Sequence, residues 1–395
     1  MIEIKDVASD DFSNKISLRY YPRVLKISAR EEFVTPSRMI TDTEYRHKAD
    51  YSNQTKLDDH VSTITQYFDK EDILSFIHKN GAMKKLSDKI ASFTKVAIDA
   101  PITTLSLRKS HNKPWPSLSL DQIQTFLRFL NIAEGRLTTR SLPPFLYDSD
   151  FAKIIPEFCK QTDDNDPVIW LDLREDENVF KKKIDIILKQ VREKRLKVVG
   201  FQMGQFDKFE DYNVNLDYVY SQLHKEYVIL LLEGAYKTFT KNHLGPSKIH
   251  YHPFESFDII SPTRFEVGWS EKDKKKKEKI DEEFKNVKFF LPENVSLETY
   301  DNMGMEHTAI KGYVDQSMRR VLEEIESIKN SNLPKTDSTD KLLKQIKGLS
   351  TIQQIKEGNK ELNYISKRIK DNDSFNYLEE KSEFGSKVKN QLRNK

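Results

Sequence analysis

Acidic and polar side chains recur at the ends of short apolar runs in this chain. Asp99 stands in VAIDA, Asp172 and Arg174 in WLDLRED, Gln202 in GFQMG, Glu233 in LLEGA and Asp258 in FDIISPTRFEVG. A carboxylate next to an Ile-Ile pair is costly to desolvate, so Asp258 needs either a partner or a task. A carboxylate in a dry, preorganised site is suited to nucleophilic catalysis, and a second one to moving protons. Asp258 and Asp99, on different segments, suit that division of labour. The plainer role for an aspartate at a strand end is to cap the turn or helix that follows. His250 and His252 in KIHYHPF share one strand face, but no cysteine and no third ligand accompany them, so they read as isolated polar histidines and no metal site is expected.

Elements of two kinds must position these residues. KVAIDA, PVIWLDL, KVVGFQM, YVILLLEG and FDIISP are apolar on both faces, as buried parallel strands are. Between them SLDQIQTFLRFLNIAEG, ENVFKKKIDIILKQVREK and NLDYVYSQLHKE carry cap residues and helical spacing. Strand and helix in alternation from about residue 95 onward imply a parallel sheet with helical crossovers. No glycine-rich phosphate turn follows the first strand, which disfavours a dinucleotide-binding sheet. Polar residues gathered at strand ends suit a TIM (β/α)8 barrel, whose C-terminal face collects them. The predicted architecture is an α/β barrel over 1–330 with a lysine-rich insertion near 268–290, then a linker and helical extension over 331–395. RVLKISAREEFVTPSRMI, ahead of the repeat, reads as strands with a turn, and AIKGYVDQSMRRVLEEIESIKN as an amphipathic helix.

The 395 residues hold 65 Lys+Arg against 62 Asp+Glu, so a net charge of +3 gives no polycationic surface overall and any nucleic-acid contact must be local. The lone cysteine, Cys159, excludes an internal disulfide and a cysteine-rich zinc knuckle. No run approaches the roughly 18 apolar residues of a bilayer span, and the first residues have neither a basic start nor an apolar core. The expectation is a cytoplasmic protein with no membrane partner.

Taken in order, the strand ends resemble the tRNA-guanine transglycosylase superfamily, whose fold is a TIM barrel. FDIISPTRFEVG resembles the family's FD-x-V-x-PTR-x-x-R-x-G segment, and VAIDAPITTLSL its T-D-S-G-G-F-Q-V-x-S-L. AREEFVTPSRMI, WLDLRED, VVGFQMG and EHTAIKGYVDQSMRRVLEEI are similar to further family segments, so the likeness covers most of 30–329. It implies that Asp258 is the nucleophile at the ribose C1′ and Asp99 the general acid/base. It also puts Gly200, Gln202, Thr103, Glu233 and Arg264 around the substrate.

The chain departs from the family where the zinc-binding cysteines belong; the lysine-rich WSEKDKKKKEKIDEEFKNVKFFLPENVSLETYDN stands there, so no zinc cofactor is implied. The base pocket departs too, with Ala100, Pro101, Ile102 and Thr103 at the S-G-G-F positions and Phe201 at the second glycine of the G-G-L strand. The implied function is a pentosyltransferase that exchanges guanine in a polynucleotide for a 7-deazaguanine such as preQ0 through a covalent aspartyl-ribose intermediate. DNA is favoured over tRNA as partner, with protein partners helping to extrude the target base. The alternatives are a tRNA enzyme and a catalytically silent barrel that binds nucleic acid or a catalytic partner. A barrel hydrolase using Glu233 and Asp172 ranks after them.

Overall fold

The computed structural model describes residues 1–11, 19–52, 56–57, 60–68, 70–78, 80–97, 99–109, 118–144, 148–160, 165–203, 212–235, 244–262, 283–284, 287–329 and 336–393. Eight parallel strands form a TIM-type barrel: β4 (Ser37–Thr41), β5 (Val61–Phe68), β6 (Ile102–Lys109), β7 (Thr139–Leu142), β8 (Asp166–Asp172), β9 (Val198–Gln202), β10 (Ile229–Ala235) and, after the short β11 (Gly245–Pro246) of a separate sheet, β12 (Ile259–Pro262). They neighbour one another in chain order, and β12 pairs with β4 to bring the sheet round. Backbone pairing stops between β6 and β7, where side chains carry the seam. Thr103 N donates to Thr138 Oγ1 at 2.7 Å, and Thr138 N donates to Thr103 Oγ1 at 2.9 Å. Ser141 Oγ and Trp170 Nε1 both donate to the Leu105 carbonyl, at 2.7 and 3.0 Å.

The barrel begins earlier than the strand and helix alternation from residue 95 suggests. SRMIT and VSTITQYF are its first two strands. KVAIDA is not a strand: Lys95 and Val96 end the helix Asn80–Val96, and Asp99 lies in the turn before β6. Ala97 continues the helix's buried stripe of Leu86, Ile90 and Phe93, which a window of six residues does not separate from a strand. The other crossover helices form where cap signals stand. Ser119 accepts from Gln122 N while the Gln122 side chain accepts from Ser119 N, starting Leu120–Glu134, and Asp176 caps Glu177–Arg192.

A three-stranded antiparallel sheet, β1 (Glu3–Ser9), β2 (Arg23–Ser28) and β3 (Glu32–Val34), plugs the N-terminal end of the barrel. Its Ile2, Leu25, Ile27 and Phe33 join Val61, Ile102, Val168, Val198, Ile229 and Ile259 in one buried cluster. At the C-terminus the 34-residue helix Asp337–Lys370 and the helices Ser374–Glu380 and Ser382–Leu392 pack on the barrel, sharing Ile352, Ile355, Leu362, Tyr377 and Phe384 with its outer core. Gly348 lets that long helix lie against the helix Asp42–Tyr51; a Cβ there would overlap the His47 carbonyl. The expected C-terminal helical extension is present. Among the described residues no helix is long and apolar enough to cross a membrane. The lysine-rich insertion lies mostly outside the described residues, as do 331–335 of the expected linker SNLPKTDSTD; the rest of that stretch is not linker, since Thr336 caps the long helix and Asp337–Asp340 open it.

Candidate active site in the barrel mouth

Side chains alternate between the lumen and the helix layer along each barrel strand. The lumen positions near the plug are apolar, as Val61, Ile102, Val168, Val198, Ile229 and Ile259 show. Farther up, the same positions turn polar: Thr63 and Thr65 on β5, Thr104, Ser106 and Arg108 on β6, Ser141 on β7, Gln202 on β9, Glu233 on β10 and Ser261 on β12, all buried. TIM-barrel interiors are ordinarily filled with branched apolar side chains, and chemistry is placed at the C-terminal face. A buried polar tier at that face is therefore a candidate site rather than packing.

Sheet register sets the tier. Asp172 pairs with Gln202, Gln202 with Glu233, and Glu233 with Ser261, so four strands present polar residues at one height. Across the lumen Thr65 pairs with Ser106. Thr65 Oγ1 donates to Glu233 Oε1 at 2.8 Å, and Ser106 Oγ donates to Glu233 Oε2. Gln202 Nε2 donates to Ser106 Oγ at 2.8 Å and to the Leu107 carbonyl at 3.0 Å. Two hydroxyl donors hold the Glu233 carboxylate in one orientation and leave it lone pairs to spare.

Arg108 completes the arrangement. Its Nη2 donates to the Met203 carbonyl, and its Nη1 lies 3.7 Å from Glu233 Oε2, beyond hydrogen-bond range. Among the described residues that buried Nη1 has no hydrogen-bond partner, and neither has Thr104 Oγ1. Gly234, with φ of +94°, makes room: a Cβ there would stand 2.9 Å from Nη1 and 3.0 Å from the Met203 carbonyl. The mouth thus offers an oriented acceptor next to an unsatisfied charged donor, both more than nine-tenths buried. At the end of β8, Asp172 is held bidentately by Arg174, Nε to Oδ1 at 2.8 Å and Nη2 to Oδ2 at 2.5 Å.

The other expected site residues lie elsewhere. Asp258 precedes β12, at the plugged end of the barrel, fully buried. Arg23 Nε and Nη2 hold its two oxygens at 3.1 and 2.6 Å, and Leu230 N donates to Oδ2 at 2.7 Å. The same guanidinium donates to the carbonyls of His224 and Val228, both at 2.7 Å, so the pair clamps plug to barrel. Burial pushes the Asp258 carboxyl above its usual range and Arg23 pulls against that. Asp99 is exposed at the entry to β6, three strands away from the fully buried Asp258. The two acids expected to converge on a sugar carbon do not meet.

Gly200 faces Trp170, whose ring a Cβ would overlap, so this glycine serves packing inside the barrel. Thr103 is occupied in the β6–β7 seam. Arg264 falls outside the described residues. Gln202 and Glu233 are the two expected residues that the fold brings together. His250 binds Ser247 Oγ at 2.8 Å and the Gly358 carbonyl at 3.0 Å, and His252 binds Glu255 at 2.6 Å. Arg108, Ser106 and Thr65 went unnoticed in the sequence, although T-x-T at 63–65 and T-x-S-x-R at 104–108 put polar residues on one face of each strand. No family model and no curated protein matches the chain.

Proposed function

We propose that the polar mouth binds a ligand with an amide-like edge, an N–H beside a C=O, such as guanine or a 7-deazaguanine presents. The observation that carries this is the pairing of Glu233 with Arg108. A carboxylate fixed by two hydroxyls accepts the N–H groups, and the Nη1 of Arg108, which has no hydrogen-bond partner among the described residues, donates to the carbonyl oxygen. A site so built discriminates strongly, because an analogue lacking the edge leaves buried polar groups unpaired.

Base exchange on a polynucleotide is the reaction we infer for it. In this fold the exchange would use Glu233 for the base and Asp172, a second carboxylate at the same height of the barrel, not Asp258 and Asp99. Asp172 and Glu233 flank Gln202 in register, with backbones about 10 Å apart across two strand spacings. Attack by Asp172 on C1′ would form an aspartyl-sugar ester as the C1′–N bond breaks and the base leaves with a proton taken from water; the incoming base then displaces the Asp172 carboxylate and gives its own proton to water. A second reading is a barrel that binds the base without exchanging it, and the Arg174 clamp on both oxygens of Asp172 favours that reading.

Labelled guanine supplied with tRNA or duplex DNA separates the two. Incorporation into either polymer that Asp172→Asn and Glu233→Gln each abolish supports exchange. Binding of the free base without incorporation supports the second reading, and neither binding nor incorporation refutes both.

A further inference from the structure

We propose that Lys89, on the helix Asn80–Val96, is a positioning residue for the mouth and holds Glu233 in place through Thr65. The barrel wall thins beside it. β4 accompanies β5 only as far as Thr41, opposite Thr63, and the helix Asp42–Tyr51 begins at the next residue. On its other side β5 keeps β6 as a neighbour to Phe68. From residue 64 onward β5 therefore has a strand along one edge and none along the other.

Alternate residues of a strand turn their backbone groups to the same neighbour. Ile102 N, at the start of β6, donates to the His60 carbonyl, so residues 60, 62, 64 and 66 address β6 and Thr65 addresses the edge that β4 has left. Thr65 is 3% exposed, and a buried carbonyl without a donor is costly. Lys89 supplies the donor. Its Nζ donates to the Thr65 carbonyl at 2.9 Å and to Gln66 Oε1 at 3.0 Å. Leu86, Ile90 and Phe93, buried on the same helix, seat it against the barrel and so set where the ammonium can reach.

The side chain of Thr65 enters the lumen, where Oγ1 donates to Glu233 Oε1 at 2.8 Å. One residue thus joins an ammonium outside the wall to the carboxylate inside it. With its carbonyl held, the end of β5 keeps one height and the hydroxyl one direction. With it released, orientation of Glu233 falls to the Ser106 hydroxyl, and the carboxylate can turn away from the edge it accepts. The effect on affinity rests on the mouth being a base-edge site; the effect on Glu233 itself does not.

Titration of the full chain with 7-deazaguanine and 7-deazaadenine, together with carbon-13 spectra of protein labelled at the glutamate carboxyls, tests this. Lys89→Met is expected to weaken 7-deazaguanine about threefold to tenfold, one hydrogen bond's worth, and to leave the weaker binding of 7-deazaadenine unchanged. Thr65→Val cuts the same link, so adding Lys89→Met to it should cost no further affinity. The Glu233 carboxyl resonance, assigned by its absence in Glu233→Gln, should shift in Lys89→Met and in Thr65→Val. Undiminished 7-deazaguanine affinity in Lys89→Met, additive losses in the double variant, or a Glu233 resonance that Lys89→Met does not move would overturn the proposal. A wild-type protein that binds neither base would refute the reading of the mouth and leave the resonance to decide on Lys89. A thermal melt verifies folding; should Lys89→Met fail it, Lys89→Gln, polar but shorter than lysine, takes its place with the same expectation.

Discussion

Arg23 holds Asp258 by both carboxylate oxygens in a setting from which water is excluded, and reaches from there to the chain entering β10. Removing one member of a buried pair leaves the other charge without compensation, at a cost of about 3 to 5 kcal/mol. Arg23→Met is therefore expected to lower unfolding free energy by that amount in urea melts, and Asp258→Asn by a similar amount. Affinity for ligands in the mouth should stay the same in the folded fraction. A stable Asp258→Asn protein that has lost base exchange would return Asp258 to the role of nucleophile.

Gly200 and Trp170 occupy neighbouring strands inside the barrel, in register with each other. A methyl at position 200 would overlap the indole, whose Nε1 is already committed to the Leu105 carbonyl. Gly200→Ala should destabilise by about 1 to 3 kcal/mol through overpacking, read by thermal or chemical unfolding. Were the protein unaffected in stability but weakened in binding, Gly200 would belong to the ligand site instead.

Burial pulls the imidazoles of His224 and His250 down to about 3, from an ordinary value near 6.5. Their folded values lie below the unfolded one, so between pH 6.5 and 3 the unfolded chain binds the extra protons. Their contribution to stability is complete above pH 6.5 and is lost as pH falls towards 3. Burial acts oppositely on Glu134, raised to about 8, whose contribution is complete below pH 4.5 and is lost as pH rises towards 8. His250→Gln should flatten the acid side by about 1.4 kcal/mol per pH unit, one proton's worth, in urea melts from pH 6.5 to 3. An unchanged slope would show that His250 takes up its proton without unfolding.

What the sequence disclosed follows from how far each interaction reaches. Strands β8, β9, β10 and β12 were legible because a parallel strand buried on both faces reads as an unbroken apolar run. KVAIDA misled because its apolar residues close a helix, and β4 and β5 were missed as barrel strands because serine and threonine in the lumen break the apolar run. At the site, Gln202 and Glu233 were legible as polar ends of apolar strands. Asp258 looked the same, and only folding reveals the arginine, 235 residues away in sequence, that occupies it. Arg108 shares the inner face of β6 with Thr104 and Ser106, a pattern that becomes informative once that face is known.

The Glu233 and Arg108 pair is the centre of the account. Titrating the protein with 7-deazaguanine and, separately, with 7-deazaadenine, which lacks the N–H and C=O edge, tests it most directly. The account predicts saturable one-to-one binding of the first, little of the second, and at least about a tenfold loss of affinity in both Glu233→Gln and Arg108→Leu, as expected when one buried polar partner is removed. Equal binding of the two bases, or binding of 7-deazaguanine indifferent to both substitutions, would contradict it.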